Sequence, residues 1–124
     1  MQVLVVEDDD DSRLLLCRLM GRLGYETVDF SNGPAALAHL PDDNIGLALL
    51  DVMMPEMDGF TLLEKMRSLP SMHDIPAIMI TARDQGSDLL AGYKSGADYY
   101  ITKPYTPEQL SYGVELVLGP RARS

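Results

Sequence analysis

Three groups of residues have types and spacing that could do chemistry. An acidic block, Glu7 to Asp11, follows the apolar run Val3–Val6; a lone acid, Asp51, follows the run Ile45–Leu50; and Lys103 stands just before Pro104. Two carboxylates about 4 Å apart repel by roughly 4 kcal/mol at an effective dielectric near 20. Either water screens the whole block or a cation sits among some of its members. If the strands that end at Val6 and Leu50 are neighbours, Glu7, Asp8 and Asp51 converge. Three carboxylates then form a hard-oxygen site suited to Mg²⁺, which takes one or two carboxylates plus waters and phosphate oxygens.

The block alone also reads as a solvated helix entry. Asp9, Asp10 and Asp11 fall before and within a first helical turn, where acids suit the macrodipole and Asp or Ser caps free N–H groups. Asp51 shifts the balance toward a site, because an acid directly behind a buried strand is an odd ending unless the position is used. Two of the five acids are thus assigned to chemistry and three to starting a helix. Lys103 taken alone reads as a surface lysine.

The elements that would position these residues alternate regularly. Strands are expected at Val3–Val6, Glu26–Phe30, Ile45–Leu50, Ala77–Thr81 and Tyr99–Thr102. The third is apolar throughout, as in a strand covered on both faces. Between them lie a helix with Leu15, Leu16, Leu19, Met20 and Leu23 at helical spacing, a short one opening at Gly33-Pro34, one over Phe60–Leu69, and a weaker one over Ser87–Ser95. A last helix is capped at Thr106, with Pro107 next and Gln109 at the capping-box position, and is expected to bury Leu110, Val114, Val117 and Leu118. Five strands alternating with five helices predict an α/β fold with a parallel sheet in a single domain, residues 1–119, with residues 120–124 a tail or the start of a linker. In such sheets sites form beyond the carboxyl ends of the strands. Those ends carry Glu7 and Asp8, Asp51, Thr81 and Lys103.

Composition sets the outer bounds. A chain of 124 residues with 46% hydrophobic residues and no Trp fits one aliphatic core. Ten Lys and Arg against 19 Asp and Glu give a net charge of −9, which argues against direct binding of nucleic acid. No apolar run approaches a membrane span, and the first residues lack a basic leader, so a cytoplasmic location without membrane contact is expected. The single cysteine, Cys17, fits a reducing compartment and reads as a passive helix residue. His39 and His73 have no ligand-like spacing.

Four segments, "VVEDDDDSR", "LDVMMPEMDGF", "AIMITA" and "SGADYYITKPY", in that order and spacing, closely resemble the receiver domain of two-component response regulators, of the chemotaxis-regulator type. The likeness covers about Gln2 to Leu118. It implies a doubly wound, flavodoxin-like sheet with strand order 2-1-3-4-5. It implies that Asp51 accepts a phosphoryl group, that Asp8 and Asp51 ligate Mg²⁺ directly (Mn²⁺ being a substitute), that Glu7 does so through water, and that Met53 adds its backbone carbonyl. By the same likeness Thr81 and Lys103 engage the phosphoryl oxygens, and Thr81 and Tyr100 form the switch. The implied partners are a sensor histidine kinase or histidine phosphotransfer protein, and an output protein or attached output domain. The output surface would be the fourth helix, fifth strand and fifth helix. The last helix carries no Lys or Arg, which argues against dimerisation through that face.

Two other classes stay open. A Mg²⁺-dependent aspartyl phosphohydrolase would use Asp51 as nucleophile, but the residue two positions on, where a general acid would stand, is Met53. A pseudo-receiver would bind partners by shape alone, yet the acids and the lysine it would have lost are all present.

Overall fold

A computed structural model describes residues 1–82 and 96–119. In chain order the elements are β1 (Gln2–Val6), α1 (Asp10–Arg22), β2 (Glu26–Phe30), α2 (Gly33–His39), β3 (Ile45–Asp51), α3 (Gly59–Arg67), β4 (Ala77–Ala82), β5 (Tyr99–Lys103) and α4 (Pro107–Leu118). The five strands form one parallel sheet in the order β2-β1-β3-β4-β5. The sheet order matches the one implied by the resemblance. The helix expected over Ser87–Ser95 lies outside the described residues.

Successive strand residues point to opposite faces, and both faces of the central strands are covered. Leu4, Val6, Ala48, Leu50, Ala77 and Met79 pack with Ala36 of α2 and with Leu62, Leu63 and Met66 of α3. Val3, Val5, Leu47, Leu49, Ile78 and Ile80 pack with Leu16, Leu19 and Met20 of α1 and with Leu110 and Val114 of α4. Each fully buried side chain of this size contributes roughly 1.5–3 kcal/mol relative to exposure.

The helix starts follow their sequence signals. Asp9 caps α1 by accepting from the Ser12 N–H, Asn32 caps α2, Asp58 caps α3, and Thr106 with Gln109 forms a complete capping box on α4. Two of the helices are covered less widely than their spacing suggests. Leu15 and Leu23 are 49% and 41% exposed, because α1 meets the sheet only along the Leu16, Leu19 and Met20 stripe. Val117 and Leu118 are only partly buried near the end of α4.

Three strands end one residue further on than expected, β3 at Asp51, β4 at Ala82 and β5 at Lys103, the first and last of them at charged residues. Both polar residues are therefore held by a strand's backbone. The loop after β3 folds back onto the sheet, with Val52 and Met54 buried and the Gly59 N–H donating to the Val52 carbonyl at 2.9 Å. Gly59 admits no side chain, since a Cβ there would fall on the Asp51 carbonyl oxygen. The clash is with backbone, so it cannot be relieved by turning a rotamer. Gly59→Ala is expected to destabilise the fold by about 2–3 kcal/mol, read as a lower urea midpoint with an unchanged slope.

Candidate functional site

The strand order puts β1 beside β3, and the carboxyl ends of both carry acids. Glu7 directly follows β1, with its N–H bonded to the Phe30 carbonyl at 3.1 Å. Asp51 ends β3 and keeps the parity of Leu47 and Leu49. One ligand oxygen from each of Glu7, Asp8 and Asp51 lies within 4.8 Å of the others. Glu7 and Asp51 are buried, Asp8 is exposed.

Lys103 closes the group from β5. Its Nζ lies 2.6 Å from Glu7 Oε1 and 3.6 Å from Asp51 Oδ1. The lysine is thus closer to Glu7 than to Asp51. The Lys103–Pro104 peptide is cis.

The charges settle unevenly. Burial, then the hydrogen bond and negative charge of Glu7, push the Asp51 carboxyl up to about 7, against the pull of Lys103. Burial works on Glu7 in the same direction, but hydrogen bonds from Asp51 and Lys103 and the lysine's charge outweigh it, leaving Glu7 below its usual value. In the absence of a cation, and below about pH 7, the proton of the pair thus sits on Asp51 rather than on Glu7. Asp8 is raised by partial desolvation and by Glu7. Burial opposes the charge on Lys103, yet Glu7 and Asp51 hold it above the usual lysine value. The donors fit a hard divalent cation: all are carboxylate oxygens, and they carry a surplus of negative charge over the single ammonium.

The other residues singled out in the sequence lie nearby on the sheet but not all in the cluster. Thr81 is buried on β4, and its register partner on β5 is Thr102, next to Lys103. Tyr100 pairs with Met79 and packs on the α2–α3 side of the sheet. By strand alternation Thr81 and Tyr100 share that side, opposite the parity of Asp51 and Lys103. Met53 stands two residues beyond Asp51 with its side chain 59% exposed.

A recess of about 340 Å³ opens beside the cluster, lined by Ser12, Leu15, Lys103, Pro104 and Tyr105. Burial and the charge of Glu7 push the Tyr105 hydroxyl up to about 12, so it stays a neutral donor there.

A family model described as the response regulator receiver domain matches residues 3–115. The chain belongs to that family. Among curated relatives of this receiver domain, the transcriptional regulatory protein RprY of Bacteroides fragilis is 36% identical over 118 residues, which are 95% of this chain and 49% of RprY. The sensory transduction protein RegX3 of Mycobacterium bovis is 38% identical over 116 residues, 94% of this chain and 50% of its own length. The chain spans about half the length of these relatives. Among solved structures, the chemotaxis protein CheY4 of Vibrio cholerae superposes with a TM-score of 0.87 at 28% identity, covering 94% of this chain and 97% of that one. The receiver domain of NtrX from Brucella abortus does so with a TM-score of 0.87 at 26% identity, covering 96% and 99%. This is a signalling module of two-component systems. Among the described residues, no helix is long and apolar enough to cross a membrane.

Two residues of the site environment lie inside the motifs quoted above but received no role of their own from sequence reasoning. Arg13, at the edge of the first motif, bonds the Glu7 backbone, and Gly59 packs on the Asp51 backbone. A glycine directly after a helix-capping Asp is ordinary turn chemistry, and its second constraint appears only in three dimensions.

The raised Asp51 value has a signed consequence for stability. The folded chain holds a proton on Asp51 up to pH about 7, whereas the unfolded chain releases it near 4. Between those values the native state binds more protons, so this group's contribution to stability falls as pH rises and stays lost above about 7. Asp51→Asn is therefore expected to stabilise the cation-free domain at pH 8 by on the order of 2 kcal/mol. The gain should shrink toward pH 4. Urea unfolding in chelator across that range measures it, and an equal effect at both ends would contradict the assignment.

Proposed function

We propose that this chain is a Mg²⁺-dependent phosphoacceptor switch. The observation that carries the reading is the convergence of Glu7, Asp8 and Asp51 within 4.8 Å, with Lys103 closing the same group from β5. Such a centre does little covalent work of its own, since phosphoryl transfer asks mainly for positioning and charge stabilisation. Asp8, Asp51, the Met53 carbonyl and, through water, Glu7 would hold Mg²⁺, which would supply positive charge against the phosphoryl oxygens.

A carboxylate oxygen of Asp51 attacks the phosphorus of a phosphohistidine on a sensor kinase or phosphotransfer protein. The P–N bond breaks, the imidazole leaves with the bonding pair and takes up a proton, and Asp51 becomes an acyl phosphate. Lys103 then pairs with a phosphoryl oxygen and Thr81 donates its hydroxyl to another. Strand alternation supports the next step, since Thr81 and Tyr100 share one side of the sheet. A Thr81 drawn toward the phosphoryl group vacates space on that side, and Tyr100 follows inward, biasing a two-state element toward its signalling form. Water attacking the phosphorus returns Asp51 and inorganic phosphate, which gives the signal a slow self-limited lifetime.

Exposed Met53 and the half-exposed Leu15 flank this end of the sheet, supplying apolar surface for a docking phosphodonor. The domain extends over residues 1–119, with 120–124 as tail or linker, and works in the cytoplasm. It signals through β5 and α4 to an output protein or an attached output domain, which the half-length match to RprY and RegX3 favours.

Incubation with Mg²⁺ and acetyl phosphate, read by intact mass, is expected to add one phosphoryl group. Chelator or Asp51→Asn should abolish it, and Lys103→Met should reduce the extent at least tenfold, a loss of about 1.4 kcal/mol or more. Addition that survives in Asp51→Asn at wild-type level would overturn the assignment of the acceptor.

A further inference from the structure

Arg13, in the first turns of α1, donates from every nitrogen of its guanidinium, one of them to the β1 exit. Nη1 donates to the Glu7 backbone carbonyl at 2.8 Å, Nη2 to Asp10 Oδ1 at 2.6 Å, and Nε to Asp29 Oδ2 at 3.1 Å. The side chain is only 18% exposed, although two of its partners, Asp10 of α1 and Asp29 of β2, are exposed acids. Three anchors on a planar, rigid fork fix its orientation in a way that a point charge could not.

What the fork holds is the peptide that joins the two acids at the head of the cluster. The Glu7 carbonyl oxygen lies in the same plane as the Cα atoms of both Glu7 and Asp8, because the peptide unit is rigid. Holding that oxygen restricts rotation of the plane, and with it the directions in which both side chains leave the backbone. The preceding peptide unit is tied by the Glu7 N–H to the Phe30 carbonyl of β2, while Asp29, next to Phe30, takes the Nε bond. The Asp9 N–H donates to Glu7 Oε2 at 3.3 Å and Asp9 caps the Ser12 N–H, which closes the turn from within.

From this geometry we propose that Arg13 is a positioning residue for divalent-cation binding. It acts through the Glu7–Asp8 peptide and touches neither the cation nor the phosphoryl group. Asp10 and Asp29, outside the cluster of three, serve as its counter-anchors. The inference rests on the reading that Glu7, Asp8 and Asp51 hold Mg²⁺.

The sign of the effect separates positioning from simple charge. A cation beside an acidic site repels Mg²⁺, so if Arg13 acted only through its field, removing it would tighten binding. Loss of positioning weakens binding, and residues that orient metal ligands from behind typically cost tenfold or more when removed. Titration of the intact chain with MgCl₂ by calorimetry gives the dissociation constant directly, with no turnover involved. Arg13→Met is expected to weaken Mg²⁺ binding about tenfold. Arg13→Lys keeps the charge but loses the fork and is expected to weaken it about threefold, with urea unfolding confirming that the domain stays folded. Unchanged binding in Arg13→Lys, or tighter binding in Arg13→Met, would overturn the proposal while leaving the metal site intact. Absence of Mg²⁺ binding in the unsubstituted chain would overturn the metal reading and the proposal together.

Discussion

The arrangement depends on one unfavourable interaction: three carboxylates gathered at the end of two neighbouring parallel strands, with one lysine among them. Glu7 and Asp51 are both buried, so water does not dissipate the repulsion. The fold meets it in two ways. Lys103 pairs with Glu7, and a proton stays on Asp51 to about pH 7. Both are provisional, since a divalent cation could replace the proton and release the lysine.

Several features near the site keep these groups together despite their repulsion. Apolar packing on both faces fixes β1 against β3, and the register sets Val6 opposite Leu50, so Glu7 and Asp51 emerge side by side. Gly59 lets the loop after β3 close against the Asp51 carbonyl, and Arg13 grips the carbonyl of Glu7. Backbone atoms are thus held from behind while side chains face one another in front. The five consecutive acids acquire separate explanations: Glu7 pairs with Lys103, Asp8 faces the cluster, Asp9 caps α1, Asp10 anchors Arg13, and Asp11 lies in the first turn of α1.

Much of this is legible in the sequence alone. The strands announced themselves because a sheet covered on both faces needs unbroken apolar runs such as Leu47–Leu50, and the caps because Asp9, Asn32, Asp58 and Thr106 are types that accept from free N–H groups. The convergence of Glu7 with Asp51 required the strand order, which periodicity does not contain and which came from the resemblance. Leu15 and Leu23 show the limit of helical spacing: it finds an apolar face, not how wide a stripe the sheet covers. The preference of Lys103 for Glu7 over Asp51 was invisible, because it turns on about an ångström of side-chain reach. Arg13 was hidden for a related reason, since its acceptor is a backbone carbonyl, which no residue type advertises.

The proton on Asp51 offers the most direct test that a cation and this cluster belong together. Mg²⁺ titrated calorimetrically at pH 7 into two buffers of different ionisation heat reports the protons released on binding. If Asp51 titrates near 7 and becomes a ligand, about half a proton should leave per Mg²⁺ bound at that pH, falling toward zero at pH 9 where the carboxyl is already ionised. Binding with no proton release at pH 7 would contradict the picture of Asp51 as the strained, cation-responsive centre of the site.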